Sequence, residues 1–336
     1  MANIKFDVEK FKKEFYKNDK IIENAEKALG SPLSDFFDHY IDNIYPKIKG
    51  INERLMSDIF RPLMNPTPCS REQKGTHGHI NSIKTRVKDP YHFIDKLVRK
   101  VSTKTDYASI TLDNYHLYFD DLIGFRVILL YLEDWYELHQ KLLSRFTYKE
   151  DQIVKKQLRS SIPINTAPFM VSKPEINIRN GDDEDIYKLH FRDCSFEKLF
   201  ELKKGRYYRS IHYSVFYEGF CFEIQVRSLF DEAWSEVDHD VLYPLYLDNK
   251  LLVDFSKQMN RIAGLGNEMA SYFRNVLRLS ITSQSVDTSC NGTVSVVPDE
   301  LALENEAFDT NMSETNNLND DNNSSFSILD NIIKGE

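Results

Sequence analysis

Two runs in this chain, SIHYSVFY (210–217) and FCFEIQVR (220–227), alternate apolar and polar residues and are separated only by Glu218-Gly219. A two-residue, glycine-ending connection between runs of period two predicts a β-hairpin with a single register. Tyr217 then faces Phe220, Ser214 faces Glu223 and His212 faces Gln225. Because side chains alternate along a strand, that register sorts the residues onto two faces. Ile211, Tyr213, Val215, Phe222, Ile224 and Val226 make a core face, with Tyr217 and Phe220 at its end. Ser210, His212, Ser214, Glu223, Gln225 and Arg227 make a polar face, with Phe216 and Cys221 near the turn.

A solvated surface explains a polar face as readily as a binding site does. The flanking sequence tips the balance. Lys203-Lys204-Gly205-Arg206-Tyr207-Tyr208-Arg209 leads straight into the hairpin, joining cations to rings in a way that suits anion binding and stacking. A second basic cluster (Lys84, Arg86, Lys88, Lys96, Arg99, Lys100 and Lys104) lies within residues 80–105, against only Asp89 and Asp95. Arg86 and Lys88 precede a predicted helix, in a loop that leads into an N-terminus favouring phosphate. Asp120-Asp121 opens the apolar run LIGFRVILLYL (122–132), which predicts a strand buried on both faces with Arg126 inside it. A carboxylate at a strand end is a magnesium ligand or simply a solvated terminus. Acids, two basic clusters and stacking rings together point to phosphoryl-type transfer, which depends on positioning and charge neutralisation. No GxxxxGK[ST] loop is present, which excludes a P-loop enzyme.

Taken as an average, the net charge of −9 argues against anionic ligands, but residues 285–336 carry −10 of it and residues 1–284 carry +1. The last segment is rich in Asn, Ser, Asp and Glu and reads as a disordered tail over 280–336. No run reaches the roughly 20 apolar residues that span a bilayer. The start, MANIKFDVEKFKKEF, has charges where a signal peptide needs apolar residues. Cys69, Cys194, Cys221 and Cys290 form no CxxC pair, so a soluble, reducing, cytoplasmic setting is expected.

Residues 1–79 read as a helical segment broken at Gly30-Ser31-Pro32, ending in a loop over 62–81. Asp89-Pro90 predicts an N-cap with proline at the first helical position. A helix of about a dozen residues is expected from Glu133. Residues 150–203 show no clear period. Leu251–Leu279 is helical, with Phe255, Met259, Ile262, Met269 and Phe273 on its apolar side.

Five stretches now carry a specific likeness: TRVKDPYHFIDKL (85–97), DDLIGFRVI (120–128), KGRYYRSIHYSV (204–215), FEIQVRS (222–228) and AWSEVDHDVLY (233–243). In this order, over roughly residues 80–275, they resemble the RelA/SpoT-type synthetase domain of bacterial alarmone synthetases, especially the stand-alone small members. The resemblance implies an α+β fold, a mixed β-sheet flanked by helices of nucleotidyltransferase-like type, over residues 80–279. It implies a GTP diphosphokinase without a hydrolase domain, moving pyrophosphate from ATP to the 3′-hydroxyl of GDP or GTP to make (p)ppGpp, with Mg²⁺ as cofactor. Arg86 and Arg126 would sandwich the adenine, and Lys88 and Lys96 would contact the ATP phosphates. Asp121 would ligate Mg²⁺, and Glu223 would assist the metal or take the 3′-hydroxyl proton. Tyr208 would stack on the acceptor guanine, Lys204 and His212 would bind acceptor phosphates, and Gln225 would order the site.

The chain departs from that pattern on the acceptor side. His92 stands where serine is usual, Tyr207 replaces a glycine, Arg209 replaces a common glutamine, and the segment between Arg126 and Lys204 is longer. A toxin-type relative that pyrophosphorylates the 3′ end of tRNA is therefore an alternative. An inactive nucleotide-binding or partner-binding module is another, disfavoured because both Asp121 and Glu223 are retained. A neutralising protein partner or a homo-oligomer fits either enzyme. His239-Asp240 sits inside the closing helix motif rather than in a hydrolase domain. His77-Gly78-His79 lacks further metal ligands, and Gly264-Leu265-Gly266 lacks the rest of a dinucleotide motif.

Overall fold

The computed structural model describes residues 5–16, 19–64, 80–103, 107, 109–148, 168–182, 184–188, 196–205, 208–242 and 248–287. His77-Gly78-His79, Lys104, Arg206, Tyr207 and the acidic segment beyond Asp287 lie outside them. Contacts divide the chain at Ile281 into two units, and the architecture below is that of the first.

Five helices open the chain: α1 (Val8–Phe15), α2 (Asp19–Leu29), α3 (Leu33–His39), α4 (Tyr45–Leu55) and α5 (Arg61–Met64). Gly30, at φ 68°, ends α2 where the sequence predicts the break. The α3–α5 run continues through two π-helical turns, Tyr40–Ile44 and Met56–Phe60. Strand β1 (Ile80–Val87) puts Arg86 on a strand rather than in the expected loop, because it pairs with the strand at Ile123–Leu129. Helix α6 (Pro90–Thr103) follows, and Asp89 Oδ1 accepts from the amides of Tyr91 at 2.8 Å and His92 at 3.2 Å. Strand β2 (Ile123–Leu129) follows, then α7 (Trp135–Leu143), shorter than the dozen residues expected because its first turn is 3₁₀.

After β3 (Thr147–Tyr148), the segment without a clear period supplies β4 (Phe169–Met170), β5 (Glu175–Arg179), α8 (Asp185–Lys188), α9 (Phe196–Leu199) and the start of β6 (Glu201–Gly205). Short edge strands carry too little alternation to be read from sequence. The hairpin is β7 (Ser210–Tyr217) and β8 (Phe220–Ser228), in the expected register, with His212 opposite Gln225 and Ser214 opposite Glu223. Glu218 and Gly219 both have positive φ (48° and 86°), as a primed hairpin turn requires. Helices α10 (Leu229–Val241) and α11 (Lys250–Asp287) complete the described chain, so α11 runs past the composition change at Ser280.

The sheet is mixed, as expected. Its order is β1-β2-β8-β7, with β4 and β5 sharing the far edge of β7 and β6 beside β5. β2 runs parallel to β8 and β5 parallel to β6, while β1–β2, β7–β8 and β5–β7 are antiparallel. Phe60 stacks on Phe125 with ring centroids 4.0 Å apart, and His139 hydrogen-bonds Tyr213, so the N-terminal helices and α7 cover the core face. Phe216 and Cys221 make a second small cluster on the opposite face with Phe169 and Val171.

The apolar side of α11 is not its buried side. Ile262 and Tyr272 are each 68% exposed, whereas Asn260 and Arg274 are buried. The helix docks through polar groups because the body presents charges that need partners there: Arg209 donates to Asn260, and Arg274 pairs with Asp134. Gly264 and Gly266 permit the approach. A Cβ on Gly264 would lie 2.9 Å from the Arg209 guanidinium, and one on Gly266 would lie 2.6 Å from the Phe230 ring.

Candidate active site

Strand register alone assembles the polar face. Arg86, Gly124, Glu223 and Ser214 form one row across β1-β2-β8-β7, and Lys84, Arg126, Gln225 and His212 form the next row but one. Residues paired across a row share a face, so all of these side chains lie on the side away from the core. Gly124 lets the Arg86 side chain lie across it, with Arg86 Cγ and Nε each 3.6 Å from where a Cβ would sit. The resulting cleft, about 340 Å³, is lined by Lys84, Arg86, Asp121, Arg126, Glu223 and Gln225, with Glu236 and His239 of α10 along its side. The apolar run of β2 is therefore buried on one face only near the site, where Gly124 and Arg126 open it.

Asp121 sits just before β2 and is gripped by Lys88 and Lys96, each 2.7 Å away. Burial pushes the Asp121 carboxyl up, but the two ammonium groups outweigh it and hold the acid well below the ordinary carboxylate range. Lys88 is itself pulled down by burial, against the pull of Asp121 and with the push of Lys96. Two cations thus share one anion, an arrangement ready to receive a further negative group.

Glu223 is held at both oxygens. His212 Nδ1 lies 2.9 Å from Oε1, and Gln225 donates to Oε2 at 2.7 Å. Burial pushes this carboxyl up too, and the His212 and Gln225 contacts bring it down below its usual value. The other ring nitrogen of His212 lies 3.0 Å from the Tyr208 hydroxyl, which accepts from Arg227 at 2.6 Å. His212 Nδ1 donates to the Glu223 carboxylate. The chain then reads Arg227 to Tyr208 to His212 to Glu223.

Of the residues singled out in the sequence, Arg86, Asp121, Arg126, Glu223 and Gln225 line the cleft; Lys88, Lys96, His212 and Tyr208 bond to these or to each other. Lys204 does not join them. Its row partner is Ile178, a core-face residue, whereas Lys203 shares a row with Asn177 and Ser210 on the open face. Lys204 instead pairs with Glu184, and Lys203 with Glu175 at 2.9 Å. His92 is exposed beside Asp89, and Arg209 is buried in ion pairs with Asp182 and Asp231.

Sequence reasoning gave no role to Lys84, Glu232, Glu236 or His239. Lys84 stood in the basic cluster. Glu232, Glu236 and His239 recur at four and three residues, a helical spacing that places them on one face. Arg126 pairs with Glu236 and, at 3.2 Å, with Glu232.

Among the described residues no three or more His, Cys, Asp or Glu side chains cluster as a metal cage. Asp121 and Glu223, both ionised and lining one cleft, could offer a divalent cation two carboxylates and leave its other positions to phosphate oxygens and water. That donor set suits magnesium. No described helix is long and apolar enough to cross a membrane.

Residues 85–247 match the family model described as the region found in RelA/SpoT proteins. No curated protein matches the chain. Among solved structures, the chain is similar to small alarmone synthetase 1 from Bacillus subtilis bound to its product pppGpp, at 16% identity and a TM-score of 0.36. That match covers 77% of this chain and 97% of the other. A GTP pyrophosphokinase family protein from Streptococcus pneumoniae gives 18% identity and a TM-score of 0.37, over 78% and 95%. Small alarmone synthetase 2 from Bacillus subtilis gives 18% and 0.38, over 73% and 99%.

Proposed function

The chain carries the RelA/SpoT region at residues 85–247, and from that premise we propose that it transfers the pyrophosphate of ATP to a ribose 3′-hydroxyl, with GDP or GTP as acceptor and (p)ppGpp as product. The observation that carries this reading is the convergence of Arg86, Arg126, Asp121, Glu223 and Gln225 on one cleft. Arg86 and Arg126 both line the cleft, and a planar adenine would be held between their guanidinium groups. Lys88 and Lys96, held in place beside Asp121, would meet the ATP phosphates from there. Asp121 and Glu223 would then hold Mg²⁺, which supplies neutralisation of the phosphate charge.

On the acceptor side Tyr208 offers its ring to the base, and His212 keeps Glu223 aimed into the cleft. The 3′-oxygen forms a bond to the β-phosphorus of ATP, the bond from that phosphorus to the α-bridging oxygen breaks, and AMP leaves. The 3′-hydroxyl proton passes to Glu223. Most of the work is positioning and charge stabilisation, which is what this family of contacts can provide.

One observation favours a second acceptor. Lys204, the cation expected at the acceptor phosphates, is held by Glu184. The terminal nucleoside of a tRNA 3′ end carries a single phosphodiester charge in place of a 5′ di- or triphosphate and so asks less of that cation. Incubation with γ-labelled ATP and GDP, GTP or bulk tRNA separates the two. Label on guanine nucleotide supports the first acceptor and label on tRNA the second, while no transfer to any of them overturns the proposed chemistry.

A further inference from the structure

A buried ion pair lies behind the cleft, and its partners lead to both ends of it. Arg227 and Glu232 are each 4% exposed and their side chains meet at 3.1 Å. Glu232 is placed by the start of α10, where Ser228 Oγ accepts from the Asp231 amide at 3.0 Å and caps the helix. Its Oε1 accepts from Lys84 at 2.9 Å and Arg126 at 3.2 Å, both on the ATP side. Arg227 donates through Nη2 to the Tyr208 hydroxyl at 2.6 Å and to Gln225 Oε1 at 3.0 Å, both on the acceptor side. Its Nη1 donates to Ser235 at 2.8 Å. The guanidinium also lies over the Tyr208 ring, 5.0 Å from its centroid.

A buried pair of this kind is a poor source of stability, since desolvating two charges offsets most of their attraction. What it does provide is geometry. A planar fork fixes four partners at once, Glu232, Ser235, Tyr208 and Gln225, which neither an apolar pair nor a three-donor lysine can do. Resting on the reading above, we infer that Arg227 and Glu232 are positioning residues that hold Arg126, on the ATP side, and Tyr208, on the acceptor side, in one fixed relation. Neither touches a nucleotide. Arg227 acts through Tyr208, His212 and Gln225 on Glu223, and Glu232 acts through Arg126 and Lys84 on the ATP end.

Two variants separate this from a merely structural role. Arg227→Lys keeps a cation opposite Glu232 but cannot also reach Tyr208 and Gln225. Turnover should fall roughly tenfold or more, with a several-fold rise in acceptor KM and the affinity for a non-hydrolysable ATP analogue within about twofold of wild type. Glu232→Gln loosens Arg126 and Lys84 as well, so its analogue affinity should weaken by roughly fivefold. A structural role would instead lower the thermal midpoint and move analogue affinity alike in both.

Equal analogue affinities in the two variants, or Arg227→Lys within about twofold of wild type in turnover and acceptor KM, overturn the inference. If either variant fails to fold, Tyr208→Phe decides the matter. It removes only the hydroxyl that Arg227 holds, and must itself lower turnover several-fold with unchanged analogue affinity. Turnover is read with whichever acceptor wild type labels. Should it label none, the functional reading has failed and the analogue affinities alone decide this one.

Discussion

The two ends of the cleft are built from similar residue types but differ in what lies behind them. At the end proposed for ATP, Lys88 and Lys96 meet Asp121, whose side chain is 15% exposed, and Lys84 and Arg126 meet Glu232 at 4%. At the acceptor edge, Lys203 meets Glu175 and Glu201 at 31% and 56%, and Lys204 meets Glu184 at 21%. Charges facing a buried acid act in a low dielectric and are fixed before ligand arrives. Pairs on an exposed edge strand are worth about 0–1 kcal/mol and exchange readily. The ATP end is therefore committed to one ligand geometry, and the acceptor edge is the adaptable one.

The sharpest break in that comparison comes from the ATP end. Asp121→Asn removes the acid shared by two ammonium groups and should lower label transfer from ATP by about 10³-fold. Activity within tenfold of wild type would mean that the committed end lies elsewhere.

Next in size is the floor shared by both ends. His116 packs beside Phe220, and His139 beside Tyr213, beneath the hairpin. Burial pulls each imidazole from 6.5 to about 4, helped at His116 by His39 and Lys47. A depressed histidine contributes stability in full above its unfolded pKa and loses it as pH falls. Stability against urea should hold above pH 6.5 and fall from there to pH 4, by up to about 3 kcal/mol per histidine. A flat profile in that window would show the floor to be open to water.

A smaller effect is expected where α11 reaches the acceptor side. Gly264→Ala drives a methyl into Arg209, which Asp182 and Asp231 hold in place. It should cost about 1–3 kcal/mol, less the roughly 1 kcal/mol of helix propensity gained. Gly266→Ala meets the Phe230 ring, which is 38% exposed and held by no ion pair, so it should cost less than Gly264→Ala in thermal unfolding. The reverse order would mean that Arg209 does not clamp the helix.

The smallest effect tests the faces of β6. Lys203→Ala should raise acceptor KM by roughly threefold, and Lys204→Ala by less than about twofold, because only Lys203 shares the open face. A larger loss at Lys204 would show that its long side chain wraps round the sheet edge to the cleft.

The hairpin was fully legible in the sequence. Period-two alternation and a two-residue turn admit one register, and that register places His212, Glu223 and Gln225 on one face without further information. The five ordered motifs likewise marked Arg86, Asp121 and Arg126 before any strand was paired. Local pattern stops at contacts between distant elements. No periodicity in residues 150–203 revealed β5 and β6, so the opposite faces of Lys203 and Lys204 emerged only from their pairing with β7.

The long helix shows the same limit. Its apolar side is plain in the sequence, yet the side it buries was decided by Arg209, Asp231 and Asp134, charges from three other segments that needed polar partners. The sequence by itself determined the chemistry available to the cleft, because strand alternation and residue type are local. The tertiary structure decided which charges stand behind that chemistry. Burial is a property of packed elements, and it is burial that turns Glu232 from one more acid on a helix into the point where both ends of the cleft are joined.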